Sequence, residues 1–201
     1  MTDPALRRRL EDRGVFLHPL AVVESEDIGP GTRVWAFAHV LKGAKIGERC
    51  NLCDGVYVEY GTSLGNNVTV KNHVSIWEGC QIGDNVFLGP NCVLTNDINP
   101  RAAVKKGPGH LMKTVIEDGV SIGANATIVC GITLHRHAFV AAGATVIRDV
   151  PEFALVAGVP AKRIGWMCKC GRRLAAGIPC DCGEIRMDLD GHGEPSFLEI
   201  I

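Results

Sequence analysis

Four cysteines near the end of the chain have the type and spacing of a metal site. They form two CxCG motifs, with Cys168 and Cys170 in the first and Cys180 and Cys182 in the second. Four thiolates bind zinc tetrahedrally in structural sites, although the usual pair is CxxC and a CxC pair is tighter. The spacing therefore leaves two interpretations, a zinc-ribbon-like structural site and four thiols without metal.

A second group of reactive residues lies in the phrases VKNHVSIWEG and GPNCVLTNDINPR. His73 has the side chain that most often acts as a general base at neutral pH, and it can equally anchor a substrate. Its neighbour Asn72 supplies an amide for hydrogen bonding. Further polar candidates, able to bind hydroxyls, an ammonium or an anion, are Glu78, Asn96, Asp97 and Arg101. The alternatives are a surface turn histidine without a role and loop capping by Asn96 and Asp97.

The elements that must position these residues are predicted by a repeat of period six. Every sixth residue from Phe16 to Leu94 is apolar, and the pattern resumes from Ile116 to Val146. This period fits neither a helix nor a single alternating strand. Six residues make a short strand and a turn, so three units close a triangular coil, and coils stack about 4.8 Å apart. The sequence predicts an all-β, parallel β-helix over residues 16–166, with each aliphatic residue and the small residue two before it facing inward.

The segments outside the repeat have different predicted roles. Residues 1–15 favour a short N-terminal helix. Residues 95–115 interrupt the repeat with prolines and glycines, and interruptions of this kind form loops, often on the binding face. Residues 167–201 form a small cysteine-containing tail, the possible zinc-ribbon-like module.

The composition excludes several classes of function. The 201 residues include 21 basic and 22 acidic side chains, so the net charge of −1 argues against nucleic acid or an anionic membrane surface as the main partner. No apolar run is long enough for a membrane span, and the charged N-terminus does not resemble a signal peptide. We therefore expect a cytoplasmic protein whose nine cysteines are thiols or metal ligands, with Cys50, Cys80 and Cys92 filling the core.

The repeat resembles that of the hexapeptide acyltransferases. The phrases VKNHVSIWEG, GPNCVLTNDINPR and VAGVPAKRIGWM are most similar to the nucleotide-linked 3-amino-sugar N-acetyltransferases. The resemblance implies a left-handed coil, a homotrimer, and acyl-CoA bound in grooves between neighbouring subunits. It also implies transfer of acetyl from acetyl-CoA to the 3-amino group of a UDP- or dTDP-linked sugar, for bacterial surface glycans.

The same resemblance implies roles for individual residues. Lys162 and Arg163 match the family position near the 3′-phosphate and adenine of CoA, and small residues at Ala142 and Gly143 let the pantetheine arm approach backbone amides. His73 and Asn72 are the catalytic candidates, although the relatives commonly have asparagine in place of His73. The substrate-binding candidates are Glu78, Asn96, Asp97 and Arg101.

Three other functions stay open at this stage. An O-acetyltransferase acting on a sugar or serine hydroxyl would depend more strongly on a histidine base, because a hydroxyl has a far higher pKa than an amine. A metal-dependent prism of the carbonic anhydrase kind would need three histidines around zinc. A non-catalytic scaffold would bind no CoA.

Overall fold

The chain begins with a short helix that covers the first coil. The structure is a computed structural model that describes residues 2–107 and 109–200. Helix α1 (Pro4–Asp12) is capped by Asp3, whose carboxylate accepts a hydrogen bond from the Leu6 amide at 2.9 Å. Arg7 and Arg13 donate to main-chain carbonyls of the first coil at 2.9 Å. These contacts satisfy polar groups that the first coil would otherwise leave exposed at its edge.

After the helix, the described part of the chain contains 23 short strands. They are β1 (Phe16–Leu17), β2 (Val22–Val23), β3 (Arg33–Val34), β4 (His39–Val40), β5 (Lys45–Ile46), β6 (Asn51–Leu52), β7 (Tyr57–Val58), β8 (Ser63–Leu64), β9 (Thr69–Val70), β10 (Ser75–Ile76), β11 (Cys80–Ile82), β12 (Phe87–Leu88), β13 (Val93–Leu94), β14 (Thr114–Ile116), β15 (Ser121–Ile122), β16 (Thr127–Ile128), β17 (Thr133–Leu134), β18 (Phe139–Val140), β19 (Thr145–Val146), β20 (Ala154–Ala157), β21 (Lys162–Trp166), β22 (Ile185–Leu189) and β23 (Pro195–Glu199).

The strands up to β20 form a parallel β-solenoid of about eight turns, which confirms the predicted fold. Three sheets make its faces: β1-β3-β6-β9-β12-β15-β18-β20, β2-β4-β7-β10-β13-β16-β19 and β5-β8-β11-β14-β17. Neighbours in a sheet are one coil apart, as in the pairing of Asn51 with Thr69 and of Lys45 with Ser63. Consecutive strands therefore lie in different sheets, and the turns between them form three columns of corners.

The interior follows the predicted pattern from Ile28 onward. The aliphatic residue of each six-residue unit, such as Val40 and Leu52, is buried. The small residues two positions before them, here Ala38 and Cys50, are buried as well. Burial raises the pKa of Cys80 to about 11 and that of Cys92 to about 12, so both thiols are neutral core residues, as predicted.

The predicted frame is wrong in the first coil. Phe16 is 43% exposed, and the inward residues there are Leu17 and Val23. Leu17 pairs with Val34 and Val23 with Val40, so this coil is one residue shorter than the others. Only five residues, instead of six, separate the inward residue Val23 from the next inward residue, Ile28. The period of six counted back from Ile28 therefore reaches Val22 and Phe16, each one position before the true inward residue.

Two segments depart from the regular coil. Ile82 pairs with Ile116 across 34 residues instead of the usual 18, so sixteen extra residues form a loop that leaves after β13 and returns at β14. At the end, β21 folds back antiparallel on β20, and β22 and β23 form a separate two-stranded sheet. Within the described residues no helix has the length and apolar character needed to cross a membrane.

Close stacking at one corner predicts the effect of a single methyl group. A Cβ on Gly47 would lie 2.4 Å from the carbonyl oxygen of Gly65 in the next coil. We expect Gly47→Ala to lower the free energy of unfolding by about 1–3 kcal/mol, the usual cost of overpacking against atoms that cannot move away. Urea unfolding measures the change. Gly191→Ala is the control, since nothing lies within 4 Å of its Cβ position, and equal stability of the two variants would contradict the expectation.

Candidate active site

The corner between the first and second sheets carries Asn72 and His73. His73 has a positive φ of 61°, which Gly55 and Gly143 supply at the same place in other coils. Its ring lies against the preceding coil, so that a Cβ on Gly55 would be only 2.5 Å from Nδ1. The His73 amide donates to the Asp54 carbonyl at 3.1 Å, and the side chain remains exposed. The imidazole is thus held on the surface of the corner and can reach a bound molecule.

A cleft of about 340 Å³ lies beside this corner and is lined by Arg33, Trp35, Asn51, Cys53, Asp54 and Asn72. The Trp35 indole donates to the Asn51 side chain at 2.9 Å, and the Asn51 amide donates to Cys53 Sγ at 3.2 Å. These contacts fix polar atoms along one wall. The sequence reading included Asn72 and missed Trp35, although Trp35 stands two coils before Lys71 in the same column.

A larger cleft, the loop cleft, lies at the corner between the second and third sheets. Its volume is about 610 Å³, and its polar lining is Tyr60, Glu78, Asp97, Lys106, His110 and Lys113. Glu59 accepts a hydrogen bond from the Glu78 amide at 2.8 Å, which ties two coils together at this corner. The Glu78 carboxylate beside the phenol raises the pKa of Tyr60. The cleft thus combines carboxylates with cations on a surface that backbone stacking supports.

The loop after β13 forms one wall of this cleft, and contacts within the loop fix its conformation. Lys106 pairs with Asp97 and also donates to the Asn99 carbonyl at 2.8 Å. The Lys106 ammonium lowers the pKa of Asp97. The Asn96 carbonyl accepts a hydrogen bond from the Met112 amide at 2.9 Å, which closes the base of the loop. Asp97 is therefore a fixed anion, held in place by a cation from the same loop.

The structure brings together only some of the predicted substrate-binding residues. Glu78 and Asp97 both line the loop cleft. Asn96 contributes a main-chain bond at the loop base, and Arg101 is exposed on the loop, where its carbonyl accepts from the Val104 amide at 3.1 Å. His73 lies at a different corner, separated from Glu78 by β10, so one protomer does not place the predicted catalytic residue in the loop cleft.

A third cleft, the end cleft, lies at the C-terminal end of the solenoid. Arg148, Lys162 and Arg163 line its volume of about 380 Å³, and the Arg163 guanidinium lies 4.5 Å from the centre of the Trp166 ring. Gly143 lies at an exposed corner of the last coil with φ of 70°. Its amide, however, already donates a hydrogen bond to the Ala124 carbonyl at 2.9 Å. The expectation that this corner offers backbone amides therefore does not hold for Gly143.

The four C-terminal thiols meet in one cluster. All four sulfur atoms lie within 4.8 Å of one another, and the Cys168–Cys182 and Cys170–Cys180 pairs are each 3.5 Å apart. A tetrahedral zinc with bonds of about 2.3 Å separates its sulfurs by about 3.8 Å, whereas a disulfide requires about 2.05 Å. The cluster has the dimensions of a four-thiolate metal site.

The repeat of this chain matches two families of hexapeptide-repeat proteins. The bacterial transferase hexapeptide family (six repeats) matches residues 61–96 and 113–148, and the hexapeptide repeat of succinyl-transferase matches residues 43–77. Both matches lie within the solenoid, on either side of the loop.

Similar curated proteins are acetyltransferases or larger bifunctional proteins. A dTDP-3-amino-3,6-dideoxy-alpha-D-galactopyranose 3-N-acetyltransferase from Aneurinibacillus thermoaerophilus is 46% identical over 179 residues, covering 88% of this chain and 92% of that protein. The bifunctional protein GlmU of Thermosynechococcus vestitus is 33% identical over 136 residues, which are 68% of this chain and 28% of that protein. The likeness to the first protein extends over nearly its whole length.

Solved structures share the fold at low identity. PerB from Caulobacter crescentus, in complex with CoA and GDP-perosamine, has a TM-score of 0.52 and 22% identity, covering 82% of this chain and 68% of that chain. The hexapeptide-repeat acetyltransferase VCA0836 from Vibrio cholerae O1 biovar eltor, in complex with acetyl-CoA, has a TM-score of 0.53 and 23% identity, covering 83% and 79%. These likenesses concern the fold.

The ion pair in the loop cleft predicts a measurable titration. In Lys106→Ala we expect the pKa of Asp97 to rise toward its ordinary value, because the cation that favours the carboxylate is gone. In the native protein, the ion pair stabilises the loop fully at pH values above the ordinary carboxyl pKa. This stabilisation is lost as the pH falls through the lowered pKa of Asp97. Carboxyl NMR titration measures the shift. Lys105→Ala is the matched control, and the same Asp97 pKa in wild type and Lys106→Ala would contradict the prediction.

Proposed function

Because the chain belongs to the bacterial hexapeptide-repeat transferase family, we propose that it transfers acetyl from acetyl-CoA to the 3-amino group of a nucleotide-linked amino sugar. The observation that carries this proposal is the 46% identity to a dTDP-3-amino-sugar N-acetyltransferase over 88% of this chain and 92% of that protein. The polar loop cleft, lined by the carboxylates of Glu78 and Asp97, agrees with such an acceptor.

The chemistry requires the sugar amine to be neutral when it attacks. Its nitrogen lone pair forms a bond to the thioester carbonyl carbon, a tetrahedral oxyanion develops, and the carbon–sulfur bond then breaks with the electron pair leaving on sulfur. The nitrogen loses one proton, and the departing thiolate can accept it. An amine therefore needs positioning and modest proton removal, whereas a hydroxyl acceptor needs a strong base.

The residues divide this work between binding and proton transfer. Glu78 and Asp97 bind the sugar hydroxyls or the incoming ammonium, since both carboxylates line the loop cleft. His73 removes the proton or anchors the sugar, with Asn72 beside it at an exposed corner. Asn96 and Arg101 support the same loop.

A homotrimer is proposed because the candidate residues lie at two different corners. His73 lies at the corner before β10 and Glu78 at the corner after it, so the width of one face separates them in a protomer. Packing the face of one prism against the corner of another would bring the His73 corner of one subunit close to the Glu78 corner of its neighbour. It would also cover a parallel sheet, which is rarely left exposed to solvent. This arrangement agrees with the family resemblance, in which acyl-CoA lies between subunits.

For acetyl-CoA we propose a path that ends at the end cleft. Lys162, Arg163 and Arg148 provide cations for its phosphates, and arginine binds phosphate in a bidentate manner. Ala142 and Gly143 provide an exposed, small-residue corner for the pantetheine arm.

We propose that the protein works in the cytoplasm on a nucleotide-linked sugar destined for bacterial surface glycans such as lipopolysaccharide. All nine cysteines are free of disulfides, which suits a reducing compartment. The net charge of −1 suits local recognition of anionic CoA and nucleotide sugars more than binding of nucleic acid or membranes.

A thiol-release assay with acetyl-CoA tests the reaction and its acceptor. The acceptor panel contains dTDP- and UDP-linked 3-amino sugars, their 4-amino isomers and the corresponding 3-hydroxy sugars. We expect turnover with at least one 3-amino sugar and none with its 3-hydroxy counterpart, because the amine needs no strong base. Turnover confined to hydroxyl acceptors would establish an O-acetyltransferase instead, and absence of both turnover and CoA binding would favour a scaffold.

The variant His73→Asn, measured in the same assay, separates the two roles of the histidine. If His73 is the essential base, the variant loses about 10²–10⁴-fold in kcat and the pH dependence of kcat changes. If His73 anchors the sugar, kcat is largely kept and KM for the sugar rises, since asparagine still donates and accepts hydrogen bonds.

We also propose that Cys168, Cys170, Cys180 and Cys182 hold a structural zinc ion. The support is the close approach of four sulfurs at tetrahedral spacing. Four thiolates fill the tetrahedron, so the metal would stabilise the C-terminal module and take no part in the acetyl transfer.

Metal analysis of the purified protein tests the zinc proposal. We expect about one zinc per chain, and loss of most of it in Cys170→Ser, which removes an exposed ligand. Cys130→Ser is the matched control, because Cys130 lies outside the cluster and should keep the metal. A wild-type protein without zinc, and unable to bind it when refolded with the metal, would contradict the proposal.

A further inference from the structure

The end cleft depends on a contact that its own walls do not provide. Arg163 is exposed, and its guanidinium lies 4.5 Å from the centre of the Trp166 ring, on the same strand β21. An exposed arginine samples many rotamers unless a contact restrains it. Stacking on an indole restrains the guanidinium and leaves its hydrogen-bond donors available for an anion.

Trp166 is in turn held by residues outside the cleft. Its ring packs edge-on against Phe197 of β23, with 5.3 Å between ring centres. The ring centres of Phe197 and Phe153 are 4.5 Å apart, and Phe153 stacks on His137 with 5.0 Å between ring centres. The aromatic series therefore runs from the solenoid corner at His137 to the arginine of the end cleft.

The thiol cluster connects β21, which carries Trp166, to β22, which pairs with the strand β23 that carries Phe197. Cys168 lies two residues beyond the end of β21, and Cys182 precedes β22 by three residues. The Cys180 amide donates to the Ile185 carbonyl at 2.8 Å, which connects the second pair of thiols to the β22–β23 sheet. A two-stranded sheet is marginally stable by itself, so it needs such an attachment to hold Phe197 in place.

We infer that Trp166 and Phe197 are positioning residues for CoA, and that the four-cysteine module exists to hold them. They fix the Arg163 guanidinium at the end cleft, where it meets the 3′-phosphate of CoA. Metal at the cysteines keeps Phe197 beside Trp166 and thereby acts on donor binding from outside the cleft. The inference rests on the proposed function, because it takes CoA as the ligand of this cleft.

Paired titrations of CoA and 3′-dephospho-CoA test the inference. Calorimetry gives the ratio of the two dissociation constants, which isolates the phosphate contact from the rest of the ligand. For the wild-type protein we expect CoA to bind about tenfold or more tightly, the usual effect of a charge-assisted hydrogen bond. In Trp166→Leu and Phe197→Ala we expect this preference to fall by about threefold to tenfold, as loss of the cation–π contact and its support would cause.

Conservative and control variants separate positioning from general destabilisation. Trp166→Phe should retain most of the preference because it keeps an aromatic face for the guanidinium, and Phe197→Leu should do so because it keeps an apolar side chain against Trp166. Arg186→Ala removes a cation of the same module that pairs with Asp188 at 2.9 Å, and it should leave the ratio unchanged. Removal of zinc with a chelator should lower the ratio, and replacement of the metal should restore it.

The outcomes are distinguishable. An unchanged ratio in folded Trp166→Leu and in zinc-depleted protein would overturn the inference while leaving the acetyltransferase proposal intact. A wild-type protein that binds CoA and 3′-dephospho-CoA equally would overturn it as well, since no phosphate contact would then exist to position. Failure of the wild type to bind either ligand would instead overturn the proposed function on which the inference depends.

Discussion

Hydrogen bonding between stacked coils is the constraint on which the rest of this molecule depends. Each strand must present its amides and carbonyls to the strands one coil away, so the separation between coils is fixed near the strand spacing of about 4.8 Å. That spacing leaves no room for a side chain at positions such as Gly47 and Gly65, where one backbone lies directly over another. It also turns each corner into a column in which residues eighteen positions apart are neighbours. Function is therefore confined to the corners and to the places where the coil is interrupted.

The candidate site follows from this restriction. The faces of the prism follow the sixfold pattern, whereas the loop after β13 and the folded-back strand β21 do not. Both irregular segments line clefts, and both contribute cations, Lys106 in one case and Arg163 in the other. The regular part of the chain thus supplies a rigid support together with corner residues such as His73 and Glu78, and the irregular parts add cations and cleft walls.

Sequence reasoning predicted most of the solenoid because a strict period leaves little freedom. From Ile28 onward the inward residues agree with the structure, and the loop leaves the solenoid where the repeat is interrupted. His73 and Glu78 lie apart because they belong to different columns of corners. The shortened first coil escaped prediction because a single missing residue does not disturb a pattern in which Phe16 and Leu17 are both apolar. The pairing of Lys106 with Asp97 was missed for a different reason, since contacts within an irregular loop have no period. Tyr60 could have been found, because it lies eighteen residues before Glu78.

The helix at the start of the chain has a consequence for how copies of the protein can associate. A stack of coils is open-ended by nature, and an exposed terminal coil is a template on which another chain could continue the sheet. Here α1 covers the first coil, and the antiparallel strand β21 occupies the free edge of β20. Both features disfavour growth along the axis of the prism, which leaves its sides as the surfaces for contacts between copies.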